Sequence, residues 1–243
     1  MLLAGILCFP LPVLGQSAGQ YAVGLRVGSI SHSLLGDVDG TLANVGVSGF
    51  TIAADVEAES STSIGAQVVR RLAPALDVRL RVERTSSHMR LLAHAEPVGG
   101  GATQIFTFGG LGAVAVWLAD LNVTWTPWRG RWPVAPYVFA GAGVGHWSIT
   151  GLDEIGALPP LLESPLNLSP VHAFLPGGAG GVGLTLGPFG WVTAELELAD
   201  HLSEDPLSDG DFNIGANFVG SGRAKNLIQS VSFTAGLRVA VGG

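Results

Sequence analysis

His201 and Ser203 stand two residues apart, and in an extended chain that spacing puts both side chains on one face. A histidine so placed can deprotonate a serine hydroxyl for attack on an ester carbonyl, provided a carboxylate orients its ring. The last apolar segment, Leu227 to Val241, contains no carboxylate to do this, so the preferred reading is a chance pair in a polar stretch and no catalytic residue is assigned. Asp209, Asp211 and Asn213 offer closely spaced oxygen ligands, but the full calcium-loop spacing is missing. His32, His88, His94, His146 and His172 are scattered without ligand spacing, so neither a metal site nor a cofactor is expected. Glycines between 177 and 183 make no phosphate loop, because no Lys-Ser or Lys-Thr pair follows them and no helix is predicted there.

Charges on alternate positions carry more information. Asp77, Arg79, Arg81 and Glu83 alternate with Leu76, Val78, Leu80 and Val82, while Glu195 and Glu197 alternate with Ala194, Leu196 and Leu198. Successive side chains of a strand face opposite sides, so each segment has one apolar face and one charged face. A soluble sandwich would bury the apolar face; a transmembrane barrel would turn it toward lipid.

The pattern predicts about eight long strands: 20–31, 61–71, 75–85, 112–126, 134–150, 174–186, 191–201 and 227–241. Tight turns rich in proline and glycine join the second strand to the third, the fourth to the fifth and the sixth to the seventh. Long connections, 32–60, 86–111, 151–173 and 202–226, occupy the other end. Short turns at one end and long loops at the other match a closed antiparallel transmembrane β-barrel, with the loops extracellular and both termini periplasmic. Segments 47–56 and 103–108 are read as hairpin extensions above the membrane; the alternative is an added pair giving ten strands.

Residues 1–14 form an apolar run too short to span a bilayer as a helix. They read as a signal peptide cut after Gly15, with a cut after Ala18 as second choice, leaving 16–243 as one barrel domain. Removal of Cys8 leaves a chain without disulfide or thiolate chemistry. Hydrophobic residues make up 47% of the sequence, dispersed rather than gathered into a membrane helix, and the 36 glycines suit a curved, tightly filled barrel. A formal charge of −7 with a single lysine, Lys225, argues against a nucleic-acid partner.

Segments 120–127 (DLNVTWTP), 136–145 (PYVFAGAGVG) and 233–239 (FTAGLRV) resemble the OmpA-like and OmpW-like small outer-membrane β-barrels. The resemblance covers nearly the whole mature chain as a pattern and implies architecture rather than a specific activity. It implies outer-membrane lipid, lipopolysaccharide and the barrel assembly machinery as partners. Such barrels usually end on an aromatic residue, whereas this chain ends Ala240-Val241-Gly242-Gly243. His201-Leu202-Ser203 is similar to the His-x-Ser element of outer-membrane lipid A deacylases, but Glu204 stands where those enzymes have asparagine.

Trp125, Trp128, Trp132, Phe189 and Trp191 fall at the tight turns and are assigned to the membrane interface; Trp117, Trp147 and Phe174 lie toward the other end. Strand parity turns Trp125 outward and leaves Trp191 on the charged face. Acidic residues collect in the long loops, where an outer rim could hold divalent cations against lipopolysaccharide. Inside an eight-strand ring, Arg79 and Arg81 should reach Glu195 and Glu197, with Arg26, Arg238, Asp77 and Glu83 extending the network. A lumen so filled implies a structural or surface-interaction protein of the cell envelope; the alternative is a narrow, porin-like passive pore.

Overall fold

The computed structural model describes residues 20–42, 49–150, 167–168, 170–189, 191–208, 212–213 and 218–241. The segment 1–15, the acidic residues Asp153, Glu154, Glu163, Asp209 and Asp211, and the part of 47–56 before Gly49 lie outside them. The strands are β1 (Tyr21–His32), β2 (Leu34–Leu42), β3 (Phe50–Ala58), β4 (Ser61–Ala73), β5 (Leu76–Pro97), β6 (Gln104–Trp125) and β7 (Val134–Thr150). They continue as β8 (Asn167–Leu168), β9 (Val171–Phe189), β10 (Val192–Glu204), β11 (Phe212–Asn213), β12 (Phe218–Ala224) and β13 (Leu227–Val241).

Eight of these close into an antiparallel ring, β1-β4-β5-β6-β7-β9-β10-β13, sealed by pairing of β1 with β13 from Tyr21↔Val241 to His32↔Ser230. Closure satisfies every strand edge along the wall. The tight turns sit at one end; Pro74 caps the first, while Pro127, Pro133 and Gly130, the last at φ 73°, bend the second. At the other end β2, β3 and β12 add to the upper part of β5 in the order β12-β2-β3-β5. These strands extend the wall; they are not a ninth and tenth member of the ring.

One expected loop is a correction. The stretch 86–111 is mostly strand, because β5 and β6 stay paired up to Ala95↔Gln104 and leave only 98–103 as a connection. Along β5 the inward–outward alternation is unbroken, but the polarity of the two faces inverts at this point. Below Arg84 the outward residues are Leu76, Val78, Leu80 and Val82, and the inward ones are Asp77, Arg79, Arg81 and Glu83. Above it Ser86, His88 and Arg90 face outward, while Met89, Leu91 and Ala93 are buried. The lower wall therefore suits a hydrocarbon surround with a polar interior, and the upper wall suits water with an apolar interior.

The apolar interior at the upper end joins Leu35, Val38, Val56, Met89, Leu91, Val114, Val116, Trp147, Ile149, Leu207 and Ile228 into one core. Outside the lower wall, Leu25 is 73% exposed, and Leu121, Val123, Leu196, Leu198 and Phe233 on other strands continue the apolar belt around the ring. Such a surface is far larger than a water-soluble monomer tolerates, and a bilayer buries it. The chain is a closed eight-strand transmembrane β-barrel.

Candidate functional site

The lower lumen holds the densest chemistry among the described residues. Strands β5 and β10 are four places apart in the ring, hence diametrically opposite. Long arginine side chains from β5 cross the space. Arg79 Nη1 donates to Glu197 Oε2 at 2.7 Å and Arg81 Nη1 to Glu197 Oε1 at 2.5 Å. Arg26, on β1, donates to the same carboxylate at 2.6 Å, and the Tyr137 hydroxyl, on β7, at 2.8 Å. Glu197 thus gathers donors from three other strands.

Around this centre Arg81 Nε also binds Asp120 of β6 at 2.9 Å, and Arg26 Nε lies 3.2 Å from Glu83. Glu195 is not reached by Arg79 or Arg81. It pairs with Arg238 at 2.9 Å and accepts a hydrogen bond from Gln67. Asp77 stands apart from the central cluster, held at the turn end by Arg129 and 3.6 Å from Arg71. Four arginines (Arg26, Arg79, Arg81, Arg238) face four carboxylates (Glu83, Asp120, Glu195, Glu197), so the buried charge is balanced. An unbalanced set in so enclosed a volume would cost several kcal/mol, about the penalty for an unpaired buried ion.

Small residues on the facing wall make room for this cluster. A Cβ on Gly183 would fall 2.3 Å from the Tyr137 ring, and one on Gly181 would lie 2.8 Å from Phe139. Arg79 lies 4.7 Å from the centre of the Phe139 ring, so an aromatic face stacks against the guanidinium where no further carboxylate stands. Asp120, Tyr137, Gln67 and Phe139 were not singled out from sequence. The inward parity of β4, β6 and β7 was the signal that could have found them.

The aromatic side chains sort by end and by face. Trp147, toward the end away from the tight turns, is turned by its parity on β7 into the lumen, where its ring packs edge-on against His32 at 5.2 Å. Trp191 precedes β10 in a turn, where strand parity does not apply, and its ring is exposed. Trp125, Trp128 and Trp132 are exposed at the same end, the last two stacked at 6.4 Å. The side chain of Phe189 lies outside the described residues.

His201 and Ser203 both face the lumen and both are buried, with the His201 Nε2 3.3 Å from Ser232 Oγ rather than bonded to Ser203. The space beside them is about 20 Å³, enough for one water and far too small for an acyl ester. Above this level the segment after β10 folds back over the barrel. Asp205 accepts backbone N–H bonds from Leu207 at 2.8 Å and Lys225 at 3.0 Å, and the Lys225 ammonium reaches Asp37 at 2.5 Å. Burial pushes the Asp205 carboxyl up to about 7, against the opposing pull of those two N–H groups and of Lys225.

Wall and contents together define a small transmembrane β-barrel. No family model matches the chain, and no curated protein matches it. Among solved structures it is similar to the outer membrane protein OprG from Pseudomonas aeruginosa, at 14% identity and TM-score 0.46, over 91% of this chain and 97% of that one. It is also similar to Neisserial surface protein A, at 11% identity and TM-score 0.47, over 90% and 96% of the two chains. The outer membrane protein AlkL, solved in lipid bilayers, shows 16% identity and TM-score 0.47 over 96% and 95%.

Proposed function

We propose that this chain is a bacterial outer-membrane barrel that acts as a structural or surface-interaction protein, with its lumen plugged rather than open. The observation that carries the reading is the convergence of Arg26, Arg79, Arg81 and Tyr137 on Glu197, which ties three strands to a fourth across the barrel. The apolar core above it supports the same conclusion, since solute would have to cross a packed hydrophobic layer as well. The paired wall that rises beyond the membrane at one end supports an extracellular role for that end, with both termini periplasmic. Outer-membrane lipid, lipopolysaccharide and the barrel assembly machinery are the partners this placement implies.

A deacylase role is disfavoured by the enclosed position of His201 and Ser203. The deciding experiment is insertion of the purified barrel into a planar bilayer. Little or no single-channel current is expected, whereas a steady current of many ions per opening would establish the narrow-pore alternative.

A further inference from the structure

The outward positions of four neighbouring strands form a graded strip at the height where the polarity of the two faces of β5 inverts. The lowest row is Val82, Ala119, Val144 and Pro176, aligned across β5, β6, β7 and β9 by register. The next row up is Arg84, Trp117, His146 and Phe174, and the one above is Ser86, Ala115, Ser148 and His172. From bottom to top the strip passes from hydrocarbon, through rings and a guanidinium, to hydroxyls and imidazole. That is the gradient of a membrane–water interface written onto one face.

Within the middle row Arg84 is exposed, and its guanidinium lies over the Trp117 ring at 5.4 Å. The His146 and Phe174 rings meet at 4.3 Å on the next two strands. No described carboxylate pairs with Arg84, in contrast to Arg90, six residues higher on the same face, which binds Glu57. No carboxylate occupies an outward position of the three rows. The charge of Arg84 is therefore held in place by an aromatic face and not by a carboxylate, with the Ser86 hydroxyl above it on the same strand and His146 and Ser148 on the second strand over.

We propose that Arg84, backed by Trp117 and flanked by His146, Ser86 and Ser148, is a binding site for the phosphate of a glycolipid of the outer leaflet, whose acyl chains lie along the apolar row below. Arginine suits this task because its planar fork can grip two phosphate oxygens at once, and stacking on a ring pre-orders that fork. The choice of a glycolipid rests on the orientation proposed above; phosphate recognition itself rests only on the strip.

The test is lipid retention by the full-length barrel, read by native mass spectrometry after exchange from vesicles. Three compositions are compared: phosphatidylcholine with lipid A, with dephosphorylated lipid A, and with phosphatidylglycerol. The unmodified barrel should retain lipid A in preference to the other two. Arg84→Ala should lower that retention about tenfold or more, as loss of a charge-assisted hydrogen bond predicts. Arg84→Lys should fall between, keeping charge but not the fork. Arg70→Ala, which removes the guanidinium 5.6 Å from the Tyr21 ring at the opposite rim, should leave retention unchanged. Equal retention of lipid A by the unmodified barrel and Arg84→Ala would overturn the site, and so would equal retention of the dephosphorylated lipid. Preference for phosphatidylglycerol would overturn the glycolipid assignment. Heat-dependent gel mobility confirms that each variant is folded, and the conductance experiment judges the plugged-barrel reading independently.

Discussion

Arg81 on β5 and Glu197 on β10 meet at 2.5 Å across the full width of the barrel, and both side chains are almost wholly buried. Two further arginines share that carboxylate. Their strands are remote in sequence and unpaired by any ladder, so this contact braces the ring from within.

Removing the brace has a graded cost. Glu197→Ala leaves Arg79 without a carboxylate and takes one from Arg26, which keeps Glu83, and from Arg81, which keeps Asp120; it should destabilise the barrel by about 3–5 kcal/mol, the range for breaking a buried ion pair. Glu195→Ala should cost less, because its partner Arg238 is partly exposed. Urea unfolding in lipid vesicles measures both, and a larger loss for Glu195→Ala would contradict the assignment of Glu197 as the hub. Bilayer current should rise in the double variant.

The membrane boundary can be tested along one strand. Leu80→Arg places charge in the middle of the apolar belt and should cost about 2–4 kcal/mol, whereas His88→Arg, eight residues up on the same outward face, should change stability by less than about 0.5 kcal/mol. Similar costs at the two positions would show that the inversion on β5 does not mark the bilayer edge.

Gly183→Ala should push the Tyr137 ring away from Glu197, because the added methyl would sit well inside contact distance of that ring. The expected outcome is a lower unfolding midpoint together with altered tyrosine absorbance. An unchanged midpoint would mean that the ring is free to move.

Asp205 predicts a pH dependence confined to the upper end. Its folded carboxyl titrates at about 7, while in the unfolded chain it titrates at 3.8. Between those values the folded state holds the extra proton, so stability declines as pH rises from about 4 to 7 and is level above that. Protection factors of the Leu207 and Lys225 amides should fall over this window, and Asp205→Asn should flatten the trend.

Orientation is tested by labelling. An epitope at Gly100, in the connection at the β5–β6 tip, should be reached by antibody on intact cells, and one at Gly130 only after permeabilisation. The reverse pattern would invert the barrel.

The lower wall was legible because lipid and lumen impose opposite polarities on alternate residues, which makes Leu76 to Glu83 unambiguous. Past Arg84 the rule changes sign. Ser86, His88 and Arg90 read as loop, since nothing in a single sequence announces that the surround has switched from hydrocarbon to water. Asp120 escaped notice as one carboxylate in a largely apolar stretch, and its role appears only when register sets it beside Arg81. Pairing of Arg79 with Glu197 rather than Glu195 depends on stagger around the ring, which no strand encodes alone.

The β5–β6 hairpin has a mechanical consequence. Its ladder runs from Leu76↔Trp125 at the turn end to Ala95↔Gln104 near the tip, with irregularities only around Met89. A pull at the tip along the strand axis draws β5 and β6 together and loads their outer ladders, β5 with β4 and β6 with β7, in shear instead of peeling bonds singly. The hairpin is therefore a stiff mast stepped into the membrane wall, and tension applied at its top is delivered to the barrel as a whole.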